Sequence, residues 1–212
     1  MDKKTVYIWD LAGTLFVDAW DKERTGFEDY DGWVTNKTGK KLEEISDREY
    51  EEMYEEPLKQ GWPFGLDILP GFKEVLNWTK NNEAFTTGTI EQMDWRAHYL
   101  NPRVEFDIRD YFQKINSTFD YGETNKKTQE MLVDYLGKKY DEGYRVAVYA
   151  DDKIKNCQSF SAAANIAKEK HNDFSYRLYH VLNNDSGLKD KGGHFEVGNL
   201  FDLLKSEKEI AF

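Results

Sequence analysis

Short apolar runs alternate with longer amphipathic segments along most of the chain. From Pro70 onward, runs of β-branched and aromatic residues are followed by stretches whose apolar residues recur every three or four positions. The first pattern is typical of buried strands and the second of amphipathic helices. The predicted strands are 5–9, 84–86, 114–118, 144–149 and 176–182. The predicted helices are 71–80, 90–100, 126–140, 153–168 and 200–205.

Strands that alternate with helices in this way favour an α/β fold, here a Rossmann-like three-layer α/β/α sandwich with a parallel sheet. Residues 15–69 differ, because they are rich in charged and aromatic residues and weakly periodic. We interpret 15–69 as a small, partly helical cap insert after the first strand, which leaves 1–14 and 70–212 as the core. Within the insert, 47–56 predicts a helix that stops at Pro57. Its glutamates are expected on a solvated face; they are Glu51, Glu52, Glu55 and Glu56.

Composition narrows the function classes. The chain has 212 residues and a net charge of −11, and so acidic a surface repels phosphate backbones, which argues against nucleic-acid binding. A single cysteine, Cys157, excludes an intramolecular disulfide. No apolar run reaches the roughly 18 residues of a membrane span, and no signal peptide is evident, so we expect a cytoplasmic protein. The histidines lack metal-ligand spacing and are expected to be surface or core residues; they are His98, His171, His180 and His194.

Polar residues stand where four of the predicted strands end. They are Asp10 after the first strand, Thr86-Thr87-Gly88-Thr89 after the second, Lys126 and Lys127 at the helix after the third, and Asp151, Asp152 and Asn156 after the fourth. Because ligands bind at the carboxyl ends of parallel strands, we expect these side chains to lie close together. Carboxylate and amide oxygens suit Mg²⁺, whereas hydroxyls and N–H groups at a helix N-terminus suit phosphate oxygens.

In this order and at these positions, the motifs resemble those of the haloacid dehalogenase superfamily over about residues 5–18 and 66–170. The motifs are Asp10-Leu11-Ala12-Gly13-Thr14, the threonine run 86–89 (similar to the run of enolase-phosphatase relatives), the lysine, and Asp151-Asp152-x-x-x-Asn156. The segment 69–72, Leu-Pro-Gly-Phe, resembles the lead-in of members whose cap follows the first motif. Each motif alone is a weak signal, and the four together are a strong one.

The resemblance implies a role for each residue. Asp10 is the implied nucleophile. Thr86, with Thr87 and Gly88, is the implied phosphoryl-binding group. The implied cation between Asp10 and the substrate is Lys126, which we favour over Lys127. The implied Mg²⁺ ligands are Asp10, Asp152, Asn156 and the Ala12 carbonyl, with Asp151 as a further candidate. The implied reaction is Mg²⁺-dependent hydrolysis of a small phosphorylated molecule through an aspartyl-phosphate.

Position 12 departs from the pattern of the superfamily's phosphatases, which carry a second aspartate there as general acid and base. Ala12 can do neither, and such help is typically worth 10²–10⁴-fold in rate. Candidates to replace that aspartate lie in the insert; they are Asp18, Asp21 and Glu23.

Two other functions stay open because of Ala12. The run Asp-x-Ala-Gly-Thr is similar to the first motif of phosphonoacetaldehyde hydrolases, which cleave a carbon–phosphorus bond by means of a Schiff-base lysine. Here that lysine would be Lys37, Lys40 or Lys41, in an insert shorter than that family's cap. Alternatively, the site binds a phosphorylated or anionic ligand without turning it over.

Overall fold

The computed structural model describes residues 4–59 and 64–210. The strands are β1 (Thr5–Trp9), β2 (Phe16–Trp20), β3 (Phe64–Ile68), β4 (Asn82–Thr86), β5 (Lys114–Ser117), β6 (Val146–Asp151), β7 (Ser175–Val181), β8 (Lys189–Asp190) and β9 (Phe195–Val197). The α-helices are α1 (Lys22–Thr25), α2 (Tyr30–Thr38), α3 (Asp47–Lys59), α4 (Phe72–Trp78), α5 (Ile90–Val104), α6 (Gln129–Asp141), α7 (Ile154–Lys170) and α8 (Leu200–Ile210).

Seven strands form one sheet in the order β5-β4-β1-β6-β7-β9-β8. Every neighbouring pair is parallel except β8 and β9, which run antiparallel. The first strand of the chain therefore lies inside the sheet, with β4 on one side and β6 on the other. This arrangement confirms the predicted α/β class and the parallel sheet.

Helices cover both faces of this sheet, as the alternation of side chains along β1 shows. Val6 and Ile8 point to one face and pack in a buried cluster with residues of α6 and α7. Tyr7 and Trp9 point to the other face and pack with residues of α4, α5 and α8. Because successive side chains of a strand point to opposite faces, both faces of β1 are buried and the molecule has three layers.

The insert carries a second, two-stranded sheet in which β2 and β3 pair antiparallel, with Phe16 opposite Ile68. Its helices α2 and α3 pack through aromatic rings, and the Tyr30 ring lies 4.6 Å from the Tyr54 ring. The expected stop of α3 at Pro57 is wrong, because the helix continues to Lys59. The division of the chain at residues 15–69 stays a prediction.

Several boundaries differ from those the pattern predicts. The strand predicted over 144–149 is shifted to Val146–Asp151, which makes Asp151 the last, fully buried residue of β6. The helix predicted over 90–100 continues through Pro102 to Val104. Within the described residues, no helix has the length and apolar character needed to cross a membrane.

Candidate active site

The carboxyl ends of the central strands bring the predicted residues of three motifs to one edge of the sheet. Asp10 directly follows β1, and its N–H donates to the carbonyl of Ala150 on neighbouring β6 at 2.9 Å. Asp151 ends β6 itself, and Thr86 ends β4 on the other side of β1. Carboxylate oxygens of Asp10, Asp151 and Asp152 all lie within 4.8 Å of one another.

A lysine bridges two of these carboxylates, and it is Lys127. Its Nζ lies 2.5 Å from Asp10 Oδ1 and 2.7 Å from Asp151 Oδ2, and its side chain is fully buried. Lys126, which the sequence analysis favoured, is exposed at the surface. Since helix α6 begins only at Gln129, both lysines precede the helix, and the chain turns the second of them inward. We therefore replace Lys126 by Lys127 as the lysine at Asp10.

Asp151 is held by hydrogen bonds to both of its carboxylate oxygens. Oδ2 accepts from Lys127, from the Tyr149 hydroxyl at 2.6 Å and from Asn156 Nδ2 at 3.0 Å. Oδ1 accepts from the Lys153 N–H and again from Asn156. Asn156, for which the resemblance implies metal binding, thus directs its amide to Asp151. A carboxylate with this many donors is fixed in place and has little capacity left for a further ligand.

Asp152 lies against Gly13, in a space that only glycine leaves open. Gly13 has φ +86°, and a Cβ atom at that position would lie 2.4 Å from Asp152 Oδ2. The Thr14 hydroxyl lies 3.3 Å from Asp10 Oδ2 and 3.4 Å from Asp152 Oδ1, between the two carboxylates. The first motif therefore shapes the position of Asp152 through its glycine and its threonine.

The threonine loop forms the other wall of the site. The Gly88 N–H donates to Thr86 Oγ1 at 3.1 Å, and Ser117 Oγ donates to the Gly88 carbonyl at 2.7 Å. Thr89 caps helix α5 by accepting from the Gln92 N–H. A Cβ atom at Gly88 would lie 2.4 Å from Gln92 Oε1, so a larger residue there would displace the end of the Gln92 side chain. The loop places hydroxyls and N–H groups at a helix N-terminus, which is an arrangement that binds anions.

The charges at this edge do not balance. Burial and the charge of Asp151 raise the pKa of Asp10 to about 7, although Lys127 opposes the shift. Burial and Asp151 also raise the pKa of Asp152. Burial alone lowers the pKa of Lys127, but Asp10 and Asp151 outweigh it and the net shift is upward. The three carboxylates near this one lysine repel one another. A divalent cation bound by their oxygen atoms would offset that repulsion.

A cavity of about 360 Å³ opens above these groups. Asp10, Thr86 and Asp152 line its floor, and Ala12 borders it as well. Helix α3 of the insert contributes a wall; its lining residues are Tyr50, Glu51 and Tyr54. The insert therefore limits the size of any ligand that reaches Asp10.

Glu51 is a residue of this cavity that sequence reasoning placed on a solvated helix face. It is buried, and its oxygens accept from Gln92 Nε2 at 2.8 Å and from Asn125 Nδ2 at 2.9 Å. Burial raises the pKa of Glu51 above the usual glutamate range, although these donors and the nearby Arg96 oppose the shift. A carboxyl of this kind can hold a proton at a higher pH than an exposed glutamate.

The other residues proposed for the missing acid do not line the cavity in the part of the chain that is described. Asp21 caps α1 by accepting from the Arg24 N–H, and Glu23 is exposed. The side chain of Asp18 lies outside the described residues. The lysines offered for a Schiff base are exposed and form ion pairs with insert glutamates; these pairs are Lys37 with Glu56, Lys40 with Glu49, and Lys41 with Glu43.

No protein-family model matches the chain, and no curated protein matches it. Among solved structures, a protein from Burkholderia xenovorans described as a haloacid dehalogenase-like hydrolase is 13% identical and matches all of both chains with a TM-score of 0.52. A HAD family enzyme from Bacteroides thetaiotaomicron, solved with magnesium, is 16% identical with a TM-score of 0.45, over 82% of this chain and 92% of that one. An aspartate-to-alanine mutant of that enzyme, solved with magnesium and inorganic phosphate, has 16% identity and a TM-score of 0.48, over 90% of this chain and 98% of that one. By the first of these matches, the chain has the fold of haloacid dehalogenase-like hydrolases.

Proposed function

We propose that this protein is a Mg²⁺-dependent phosphohydrolase that acts on a small phosphorylated molecule through Asp10. The observation that carries the proposal is the buried Lys127 bridge between Asp10 and Asp151, because Asp10 lines the same cavity as the threonine loop at 86–88. A carboxylate, a cation and an anion-binding loop around one cavity are the groups that phosphoryl transfer to an aspartate needs.

In this proposal, Asp10 attacks phosphorus and forms an aspartyl-phosphate, which water then hydrolyses. The hydroxyl of Thr86 and the N–H groups of Thr87 and Gly88 bind the phosphoryl oxygens. Lys127 holds Asp10 in place and faces the developing negative charge. It takes the role that the resemblance assigns to the motif lysine.

Asp10, Asp152 and the Ala12 carbonyl would hold Mg²⁺, while Asp151, fixed by Lys127 and Asn156, supplies charge beside them. When bound, the metal offsets the repulsion between the nucleophile and an anionic substrate. This choice of ligands follows from the hydrogen bonds, since both oxygens of Asp151 already accept from protein donors.

Ala12 leaves the leaving group without its usual proton donor, and we propose that Glu51 supplies the proton. Glu51 lines the same cavity as Asp10, and burial raises its pKa. Glu51 belongs to the insert rather than to the first motif. It could therefore protonate the leaving-group oxygen on the side of the cavity away from the sheet. A general acid is typically worth 10²–10⁴-fold, and most for poor leaving groups.

A second candidate function is ligand binding without turnover, and Ala12 is the observation that favours it. Cleavage of a carbon–phosphorus bond has less support, because Lys37, Lys40 and Lys41 are exposed and paired with glutamates. To form a Schiff base, the lysine amine must contact the substrate.

The deciding experiment measures phosphate release from an aryl and an alkyl phosphate with Mg²⁺, for the wild type, Asp10→Asn and Ala12→Asp. Wild-type turnover that Asp10→Asn abolishes supports the hydrolase. Ala12→Asp should then raise turnover of alkyl phosphates, by up to about 10²–10⁴-fold, because it adds an acid to a working site. If the wild type binds phosphate but is inactive and only Ala12→Asp releases phosphate, the binding function is the correct one.

A further inference from the structure

A second cluster of ligand side chains lies farther along the same sheet, on β7 and β9. His180 of β7 is the register partner of Glu196 of β9, and the two strands are parallel. His194 is two positions before Glu196, in the bend that leads into β9. One ligand atom from each of His180, His194 and Glu196 lies within 4.8 Å of the other two.

The ring of His180 is oriented by the backbone of the candidate active site. Its Nε2 lies 3.0 Å from the carbonyl oxygen of Asp152. A carbonyl only accepts hydrogen bonds, so Nε2 carries the hydrogen and, in the neutral ring, Nδ1 carries the lone pair. Metal-binding histidines characteristically donate their second ring N–H to a carbonyl or carboxylate in this way.

Two ring nitrogens of the cluster are buried and have no hydrogen-bond partner among the described residues. They are His180 Nδ1 and His194 Nε2. Leaving a polar atom buried and unpaired costs free energy, so such atoms call for an explanation, and an ion is one. Both atoms belong to the two histidines of the cluster.

Glu196 supplies the negative charge of the cluster. Its Oε2 lies 3.1 Å from Lys191 Nζ.

We propose that His180, His194 and Glu196 form a binding site for a divalent transition-metal ion, with Zn²⁺ as the best fit. Two imidazole nitrogens and one carboxylate are a set of three protein ligands found in zinc sites, whereas Mg²⁺ prefers oxygen ligands alone. Zinc bonds of about 2.0–2.2 Å require the three side chains to move somewhat closer together. The site is distinct from the acidic cluster at Asp10 and Asp152 in both position and ligand chemistry.

The histidines escaped the sequence analysis because they lie in different segments, His180 on β7 and His194 just before β9. His180 and His194 show no short spacing, and β9 is only three residues long. They meet because β7 and β9 pair in the sheet. A bound ion would join these two strands and, through His180, would fix the backbone carbonyl of Asp152.

The test is a zinc titration of the full chain, free of any polyhistidine tag, against a chromophoric zinc chelator with Mg²⁺ in excess. The variants are His180→Ala, His194→Ala and Glu196→Gln. The matched control is His98→Ala, which removes an exposed histidine elsewhere, and Asp152→Asn reports on zinc bound to the acidic cluster. Far-ultraviolet circular dichroism checks that each variant folds. If His180→Ala does not fold, His194→Ala still decides the outcome, because His194 precedes β9.

We expect one zinc ion per chain that excess Mg²⁺ does not displace. Its Kd should rise at least 10-fold in each cluster variant and stay unchanged in His98→Ala; outer-shell substitutions alone cost 10–100-fold. Co²⁺ bound in place of zinc should give visible absorption bands that His194→Ala removes. The proposal is overturned if His194→Ala binds zinc as the wild type does, or if only Asp152→Asn weakens binding. Neither result depends on phosphatase activity.

Discussion

Lys127 Nζ lies 2.5 Å from Asp10 Oδ1, although the two residues are 117 positions apart in the chain. Their contact joins the end of β1 to the loop before α6, and Asp151 completes the bridge from β6. Three separate parts of the core thus meet at one ammonium group. This group is both a structural link and, in the proposed mechanism, part of the site.

Lys127→Ala should destabilise the protein and abolish turnover, whereas Lys126→Ala should do neither. Removing the buried lysine leaves two buried carboxylates uncompensated, which typically costs about 3–5 kcal/mol in the free energy of unfolding. Urea unfolding with and without Mg²⁺, together with phosphate release, measures both effects. Activity lost in Lys126→Ala but kept in Lys127→Ala would show that the bridge is not the working lysine.

Mg²⁺ should raise the thermal unfolding midpoint, and Asp152→Asn should remove the effect. At 100 times its Kd, a ligand stabilises by about 2.7 kcal/mol, which corresponds to roughly 5–10 °C for a chain of this size. Asp185→Asn makes the same charge change at an exposed position and serves as the control. A chelator should return the midpoint to its metal-free value. An equal midpoint shift in wild type and Asp152→Asn would place the metal elsewhere.

Gly88→Ala should weaken phosphate binding, while Gly122→Ala should leave it unchanged. The added methyl at Gly88 meets Gln92 Oε1 at 2.4 Å and must displace either the Gln92 side chain or the loop, whereas Gly122 has open space around it. We expect KM for an aryl phosphate to rise about 10-fold or more, since a small misplacement of a binding group is costly. The measurement is the kinetics of phosphate release, with inorganic phosphate as a competitive inhibitor. Unchanged inhibition in Gly88→Ala would remove the loop from the proposed site.

Glu51→Gln should change the pH dependence of the reaction with alkyl phosphates. A general acid works only while protonated, so activity falls as pH rises through its pKa. Because burial raises the pKa of Glu51, this fall is expected above the usual glutamate value of about 4.3. The variant should lose the alkaline limb and about 10²–10⁴-fold in kcat, with a much smaller loss for aryl phosphates.

Glu52→Gln is the matched control for Glu51→Gln, because Glu52 is the next residue along α3 and is exposed. It should keep the wild-type pH profile with both substrates. Equal losses with alkyl and aryl phosphates in Glu51→Gln would mean that Glu51 supports the cavity wall rather than donating a proton.

The sheet and the first motif could be predicted from sequence because their signals are local. A buried strand that ends at Asp10, followed by Gly13 and Thr14, can be recognised from a few consecutive residues. The three-layer fold follows from the alternation of strands and helices. Strands β8 and β9 could not be predicted, because two or three residues carry no periodicity.

The choices that failed depend on contacts between distant parts of the chain. Lys126 and Lys127 are neighbours before the first turn of α6, so no helical spacing tells which one faces Asp10. Glu51 belongs to a helix with several glutamates, and only the packing of α3 on α5 decides which of them is buried. Gln92 and Asn125, the partners of Glu51, lie in two other segments.

The pairing of β2 with β3 also affects the entropy cost of pairing the central strands β1 and β4 during folding. Trp9 and Asn82, which share a side-chain hydrogen bond between β1 and β4, are 73 positions apart. Once the β2–β3 ribbon forms, the effective loop between these strands shrinks to roughly 25 residues, which lowers its closure entropy cost by about 1 kcal/mol. The insert therefore shortens the chain segment that must close when the core forms, and we expect mutations that weaken the ribbon to lower the folding rate rather than raise the unfolding rate.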